Sequence, residues 1–118
     1  MYILSVVRFS EIAEHPNQGS LSPGLSDRRF DTGALLMTEG VHRLVEQGLL
    51  SPSVYLDRHC SCDWGDLCEE DVETNQQALL DGERLFSAYQ TEHGDDKRLW
   101  IITEADRSST TLLLPSEY

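Results

Sequence analysis

Arg84-Leu-Phe-Ser-Ala-Tyr-Gln90, Arg98-Leu-Trp-Ile-Ile-Thr-Glu104 and Thr110-Thr-Leu-Leu-Leu114 are three runs dense in β-branched, aromatic and leucine residues. Side chains of those shapes pack well on a pleated, half-buried surface, so each run reads as a strand. Thr91-Glu-His-Gly-Asp-Asp96 and Ala105-Asp-Arg-Ser-Ser109 separate them, and both have the composition of loops. Connections this short favour an antiparallel meander, because parallel neighbours need a long crossover.

Upstream of the meander the period changes from two to that of a helix. Gly33-Ala-Leu-Leu-Met37 reads as a short strand, after which Thr38 is placed to cap a helix carrying Val41, Leu44 and Val45. Gly48 is placed to end that helix. Ser51-Pro52 is a second start, with serine as cap and proline in the first turn, and this helix extends to about Arg58. Asp66, followed three residues later by Glu69, resembles a capping box for a third helix running to about Leu80, with Gly82 beyond it. Cys68, Val72, Leu79 and Leu80 form its expected apolar line, and Asn75 falls on the same face. An α+β fold follows: an antiparallel meander of three to four strands packed against two or three short helices.

Residues 1–32 differ. A strand fits within residues 2–9, but His15-Pro-Asn-Gln-Gly-Ser-Leu-Ser-Pro-Gly24 is a run of breakers without periodicity. The expected organisation is a partly mobile N-terminal extension over 1–32 and one domain over 33–118.

Charge is the dominant bulk property. The formal net charge is -12 on 118 residues. Between Arg58 and Arg84 stand Asp63, Asp66, Glu69, Glu70, Asp71, Glu73, Asp81 and Glu83, with no lysine or arginine among them. A field of that sign repels nucleic acid and attracts basic partners. Lys97 and scattered arginines supply no basic footprint, so direct nucleic-acid binding is not expected. No apolar run approaches membrane-spanning length, and the charged N-terminal segment lacks the pattern of a signal peptide. Three crowded cysteines suit a reducing compartment better than a disulfide framework, so a soluble cytoplasmic protein is expected.

Three groups of residues invite chemistry. His59, Cys60, Cys62 and Cys68 have zinc-ligand side chains, but adjacent ligands at 59 and 60 strain a tetrahedral site and no paired knuckle follows; no metal or cofactor is expected. His59 with Asp63 or Asp66 could instead serve Cys60 or Cys62 as a base, although the surrounding acids disfavour a thiolate. Asp106 and Arg107, flanked by Glu104, Ser108, Ser109, Thr110 and Thr111, suit a tight turn in which the two charges pair, more than a phosphate site. Trp64, Phe86, Tyr89 and Trp100 read as core or half-buried sheet residues, with Trp64 placed to plug the sheet against the third helix. No phosphate-binding loop, dinucleotide fingerprint or metalloprotease motif occurs.

Arg58-His59-x-x-x-Asp63-Trp64-Gly65-Asp66, Asn75, Gly82-x-Arg84-x-x-Ser87-x-Tyr89, Trp100-Ile-Ile-Thr-Glu104-Ala-Asp-Arg-Ser108 and Thr110-Thr-x-Leu-Leu-Pro-x-Glu-Tyr118 form a series. Over about residues 33–118 it resembles a family of short bacterial proteins of plasmids and other mobile elements. These are often labelled plasmid-related protein or type I restriction endonuclease subunit M. The methyltransferase label does not suit this chain, which lacks a cofactor-binding core and the Asn/Asp-Pro-Pro-aromatic motif. Glycine often stands in that family where this chain has Cys62, which tells against an essential cysteine. The resemblance implies a mobile-element setting, in which small acidic proteins often oppose host defence.

Two functional readings follow. In the first, a non-enzymatic acidic protein presents Asp63, Asp66, Glu69, Glu70, Glu73 and Glu83 in place of DNA phosphates. It would thereby block a basic, nucleic-acid-binding surface of a CRISPR effector or restriction enzyme. In the second, Arg58, His59, Asp63, Asn75, Arg84, Tyr89, Glu104 and Arg107 gather into the polar pocket of a small enzyme or ligand-binding module. Within the first class the rival is an ordinary acidic surface that only keeps the protein soluble, and oligomeric state is left open throughout.

Overall fold

The structure, a computed structural model, describes residues 6–8, 29–93 and 97–118. The elements are β1 (Val6–Arg8), β2 (Ala34–Thr38), α1 (Glu39–Glu46), α2 (Pro52–Cys60), α3 (Glu69–Asp81), β3 (Leu85–Gln90), β4 (Arg98–Thr103), β5 (Ser109–Leu113) and a closing 3₁₀ turn, Pro115–Glu117. The five strands form one sheet in the order β1-β2-β5-β4-β3.

The fold is α+β and contains the expected meander. β3 pairs antiparallel with β4, and β4 with β5. The sheet is wider than the meander, since β2 lies parallel to β5 with Leu35 opposite Thr110, and β1 adds an antiparallel edge. Parallel neighbours are far apart in sequence, which is why local patterning does not reveal this pairing.

Strand alternation divides the sheet into two faces. Leu99, Ile101, Leu112, Tyr89 and Met37 point toward the helices and form one core with Val41, Leu44, Leu50, Leu56 and Cys60. A second cluster joins Trp64, Ala78 and Leu85 with Phe30, Leu67, Val72 and Leu79, so Trp64 does plug the space between α3 and the sheet. Phe86, Trp100 and Tyr118 make a chain of edge-on ring contacts on the opposite face.

The proposed boundary at residue 32 cuts through packed structure. Arg29 N–H donates to the Cys60 carbonyl at 2.9 Å, and Thr32 is buried. The breaker run at 15–24 lies outside the described residues.

Two helix starts depart from the sequence expectation. Thr38 is the N-cap of α1, but its hydroxyl bonds to Glu117 instead of to the helix backbone. Glu117 also accepts from the N–H of Gly40 at 2.8 Å and of Leu114 at 3.1 Å, so the end of the chain closes the start of α1. A carboxylate there also complements the positive helix terminus. Any Cβ on Gly40 would lie 2.7 Å from that carboxylate, which accounts for glycine at the second helical position. The capping box at Asp66 is absent: α3 begins after Cys68 and has no side-chain cap. Its buried residues are Asn75 and Ala78, whereas Cys68 is exposed and Leu80 is 81% exposed. Gly82, left-handed at φ 73°, closes the helix, its N–H donating to the Ala78 carbonyl.

Candidate functional site

Among the described residues, the members of the proposed polar pocket fall into separate groups: His59; Arg58 with Asp63 and Tyr89; Asn75; Arg84 with Glu104; and Arg107. His59, at the C-terminal end of α2, has no exposed surface. Its Nδ1 meets the Ser87 hydroxyl and its Nε2 meets that of Thr103 at 2.9 Å. Phe30 and Trp64 close over it edge-on, with ring centroids 5.3 Å and 5.5 Å away. Burial, assisted by the Arg107 cation, lowers its pKa to about 3, so it is neutral at ordinary pH.

Arg58, one residue earlier, turns outward over the Tyr89 ring, 4.6 Å from its centroid. Its Nε–H and Nη2–H donate to the two carboxylate oxygens of Asp63 at 2.8 Å and 3.3 Å. That hydrogen-bonded guanidinium holds the Asp63 carboxyl below the usual carboxylate range. The Tyr89 hydroxyl donates to the Asp63 carbonyl at 2.6 Å, and burial raises its pKa. Asp63 also accepts from the N–H of Gly65. Gly65 has φ 80°, and a Cβ there would lie 2.1 Å from the Ala88 carbonyl oxygen. Asp63-Trp64-Gly65 is therefore a structural corner, built by one ion pair, one plugged indole and one position open only to glycine.

Asn75 answers a sheet-edge problem. Phe86 and Ala88 turn their backbone groups away from β4, and unpaired edge groups invite association. The Asn75 side chain donates to the Phe86 carbonyl at 2.6 Å and accepts the Phe86 N–H at 3.1 Å. Ala88 is closed in the same way by Asp66 N–H at 2.7 Å and the Trp64 carbonyl at 3.2 Å. A buried amide on an apolar helix face thus has partners without any ligand.

Arg107 holds backbone rather than phosphate. Its guanidinium donates to the carbonyls of Glu83 at 2.6 Å, Glu104 at 3.1 Å, Ala105 at 3.3 Å and Ala78 at 3.4 Å. It does not pair with Asp106, which accepts the N–H of Ser108 instead. Arg84 and Glu104 form an exposed ion pair at 3.3 Å.

The cysteines separate as well. Cys60 is buried, Cys62 half-buried and Cys68 exposed. Cys62 has φ 70°, a left-handed conformation that glycine adopts without strain. Burial pushes its thiol pKa up, away from a reactive thiolate. Among the described residues, no group of three or more His, Cys, Asp and Glu is placed to hold a metal ion.

Of the acids proposed for partner binding, Asp63 is engaged by Arg58, so it leaves the set. Asp66, Glu69, Glu70, Glu73 and Glu83 are exposed. None of these five joins an ion pair among the described residues. Glu69, Glu70 and Asp71 occupy the first turn of α3, where the helix dipole favours them, but Glu73 and Glu83 lie beyond it. The groove beside this face, about 340 Å³, is lined by Thr74, Gln77, Ala78, Asp81, Glu83 and Arg84. Sequence reasoning did not join Ser87, Thr103 and Thr110 to His59, although each is a hydroxyl at an inward position on a strand of the meander. Among the described residues, no helix is long and apolar enough to cross a membrane. No family model, curated protein or solved structure matches the chain.

Proposed function

We propose that this is a non-enzymatic acidic binding protein that uses the outer face of α3 against a basic, nucleic-acid-binding surface. One contrast carries the reading: Asp66, Glu69, Glu70, Glu73 and Glu83 are exposed without ion pairs among the described residues, while the polar residues of the rival pocket are engaged by one another or by backbone and hydroxyl groups of the fold. Four carboxylates stand within Glu69-Glu-Asp-Val-Glu73. At about 1.5 Å of rise per residue that is roughly one charge per 2 Å of axis. Duplex DNA carries about one per 1.7 Å. The resemblance to proteins of mobile elements supports a host defence complex, such as a CRISPR effector or restriction enzyme, as the target.

The test is recovery of tagged protein from host lysate at low and high salt, followed by a DNA-competition assay on the captured subunit. The reading expects a defence subunit whose recovery falls as salt screens the contact, and whose DNA binding the protein blocks. Reversing Glu69, Glu70 and Glu73 to lysine should abolish both. A captured defence subunit indifferent to salt and to charge reversal, or the absence of any such subunit, would overturn it.

A further inference from the structure

The hydroxyl chain around His59 runs in one direction. A carbonyl oxygen only accepts, so Thr110 donates its single hydroxyl proton to the carbonyl of Thr32 at 2.9 Å. Thr110 must then accept from Thr103 across 2.8 Å. Thr103, its own proton committed, accepts from Nε2 of His59 across 2.9 Å. Nε2 therefore carries the ring proton and Nδ1 accepts from Ser87.

The same ring seats the segment that leads into β2. Arg29 bonds to the Cys60 carbonyl, Phe30 meets His59 edge-on and stacks with Trp64 at 6.4 Å, and the Thr32 carbonyl ends the hydroxyl chain. Few ionisable groups face the ring. Arg107, from the turn between β4 and β5, is a cation. Cys60 follows His59 on α2, and Tyr89 lies two residues beyond Ser87 on β3. Both ring nitrogens meet hydroxyls, so no carboxylate is hydrogen-bonded to them.

We propose that His59 is a proton-sensitive latch on residues 29–32: neutral, as the Nε2–H tautomer, it holds Phe30 and Thr32 in place, and it takes a second proton only when that segment swings away and admits water. A proton on Nδ1 would turn Ser87 from donor to acceptor and leave a cation, beside Arg107, at a site with no exposure. The strands beneath are held by continuous ladders. Residues 29–32 belong to no helix or strand and are held by ring contacts and isolated hydrogen bonds, so they are cheaper to move than the ladders.

The experiment is an NMR titration of the chain, with ¹⁵N in its histidine and tryptophan rings, from about pH 7 to about pH 2.5. His59 is identified by loss of its signal in His59→Gln. The expected result is a single Nε2–H tautomer near neutrality. On acidification, Trp64 and Phe30 signals should shift with His59 protonation while Trp100 and the β4–β5 amides stay native. In Thr110→Val, Thr103 loses its acceptor and turns its proton onto Nε2, so the ring should change to the Nδ1–H tautomer. Mixed or Nδ1–H tautomers in the parent protein, an unchanged tautomer in Thr110→Val, or simultaneous loss of Trp64, Trp100 and strand signals would each overturn the latch.

Discussion

α2 and α3 both carry polar side chains in a pattern that suggests chemistry, and they use them in opposite ways. On α2, His59 is closed in by Ser87, Thr103, Phe30 and Trp64, while Arg58 lies over Tyr89 and grips Asp63. On α3, only Asn75 turns inward to bond, whereas Glu69, Glu70 and Glu73 face solvent without counter-ions among the described residues. Residue type alone does not separate the two cases. What separates them is whether the sheet supplies a partner: β3 and β4 present hydroxyls to α2 and nothing ionic to the outside of α3.

The contrast breaks most visibly at His59. Replacing it with alanine leaves the Ser87 and Thr103 hydroxyls without their imidazole partner and opens a cavity. A loss of about 3–5 kcal/mol is expected, from the cavity and the unsatisfied hydroxyls together. Urea denaturation near neutral pH measures it. A loss below about 1 kcal/mol would mean that α2 holds its histidine no more firmly than a surface residue is held.

Acid should weaken the protein through the same residue. His59 sits at about 3 in the fold, chiefly through burial and then through Arg107, against about 6.5 in an unfolded chain. Between those values the unfolded state binds the proton and the folded state does not. The contribution is therefore complete above about pH 6.5 and falls by about 1.4 kcal/mol per pH unit as pH drops toward 3. Asp63, lowered by Arg58, adds its own loss only at the acid end, below about pH 4. Denaturation curves from about pH 6.5 to about pH 4 should thus slope in the parent protein and flatten in His59→Gln. Equal slopes would remove His59 from the account.

Asn75 tests the inward side of α3. Alanine there leaves both backbone groups of Phe86 unpaired at the sheet edge, at a cost of about 1–3 kcal/mol. Hydrogen exchange gives the sharper reading, because the Phe86 amide should lose protection while Leu99 and Leu112 in the sheet interior keep theirs. Unchanged protection at Phe86 would mean that the edge is closed by something other than the amide.

The sequence made the meander legible because each of its strands alternates locally and each connection is short. It hid the β2–β5 pairing, which depends on two segments about seventy residues apart meeting in parallel. On α3, Leu79 and Leu80 are neighbours about 100° apart around the helix axis, and periodicity did not decide which one faces the core. The fold buries the Leu79 side and leaves Leu80 in solvent. The pocket reading had a related cause. Arg58, His59, Asn75, Glu104 and Arg107 look available in a string of letters because their partners are mostly backbone carbonyls and hydroxyls, which carry no signature there. Ser87 between Leu85 and Tyr89, and Thr103 after Leu99 and Ile101, were the readable trace: inward hydroxyls amid apolar neighbours imply a buried polar partner.

The smallest expected effect on stability belongs to the outer face of α3. Converting Glu70 and Glu73 to glutamine removes two exposed charges that make no ion pair among the described residues. Glu70 lies in the first turn and loses a favourable dipole interaction of about 0.3–1 kcal/mol. Relief of repulsion among the remaining acids opposes that loss. The urea midpoint should therefore correspond to a net change within about 0.5 kcal/mol, of either sign. A loss above about 2 kcal/mol would place these acids with His59, as groups the fold requires, and would take away the basis for a binding face. A neutral result leaves these charges, which repel one another at a net of -12, without a duty in the fold and open to two uses, solubility or a basic partner, which partner binding after charge reversal separates.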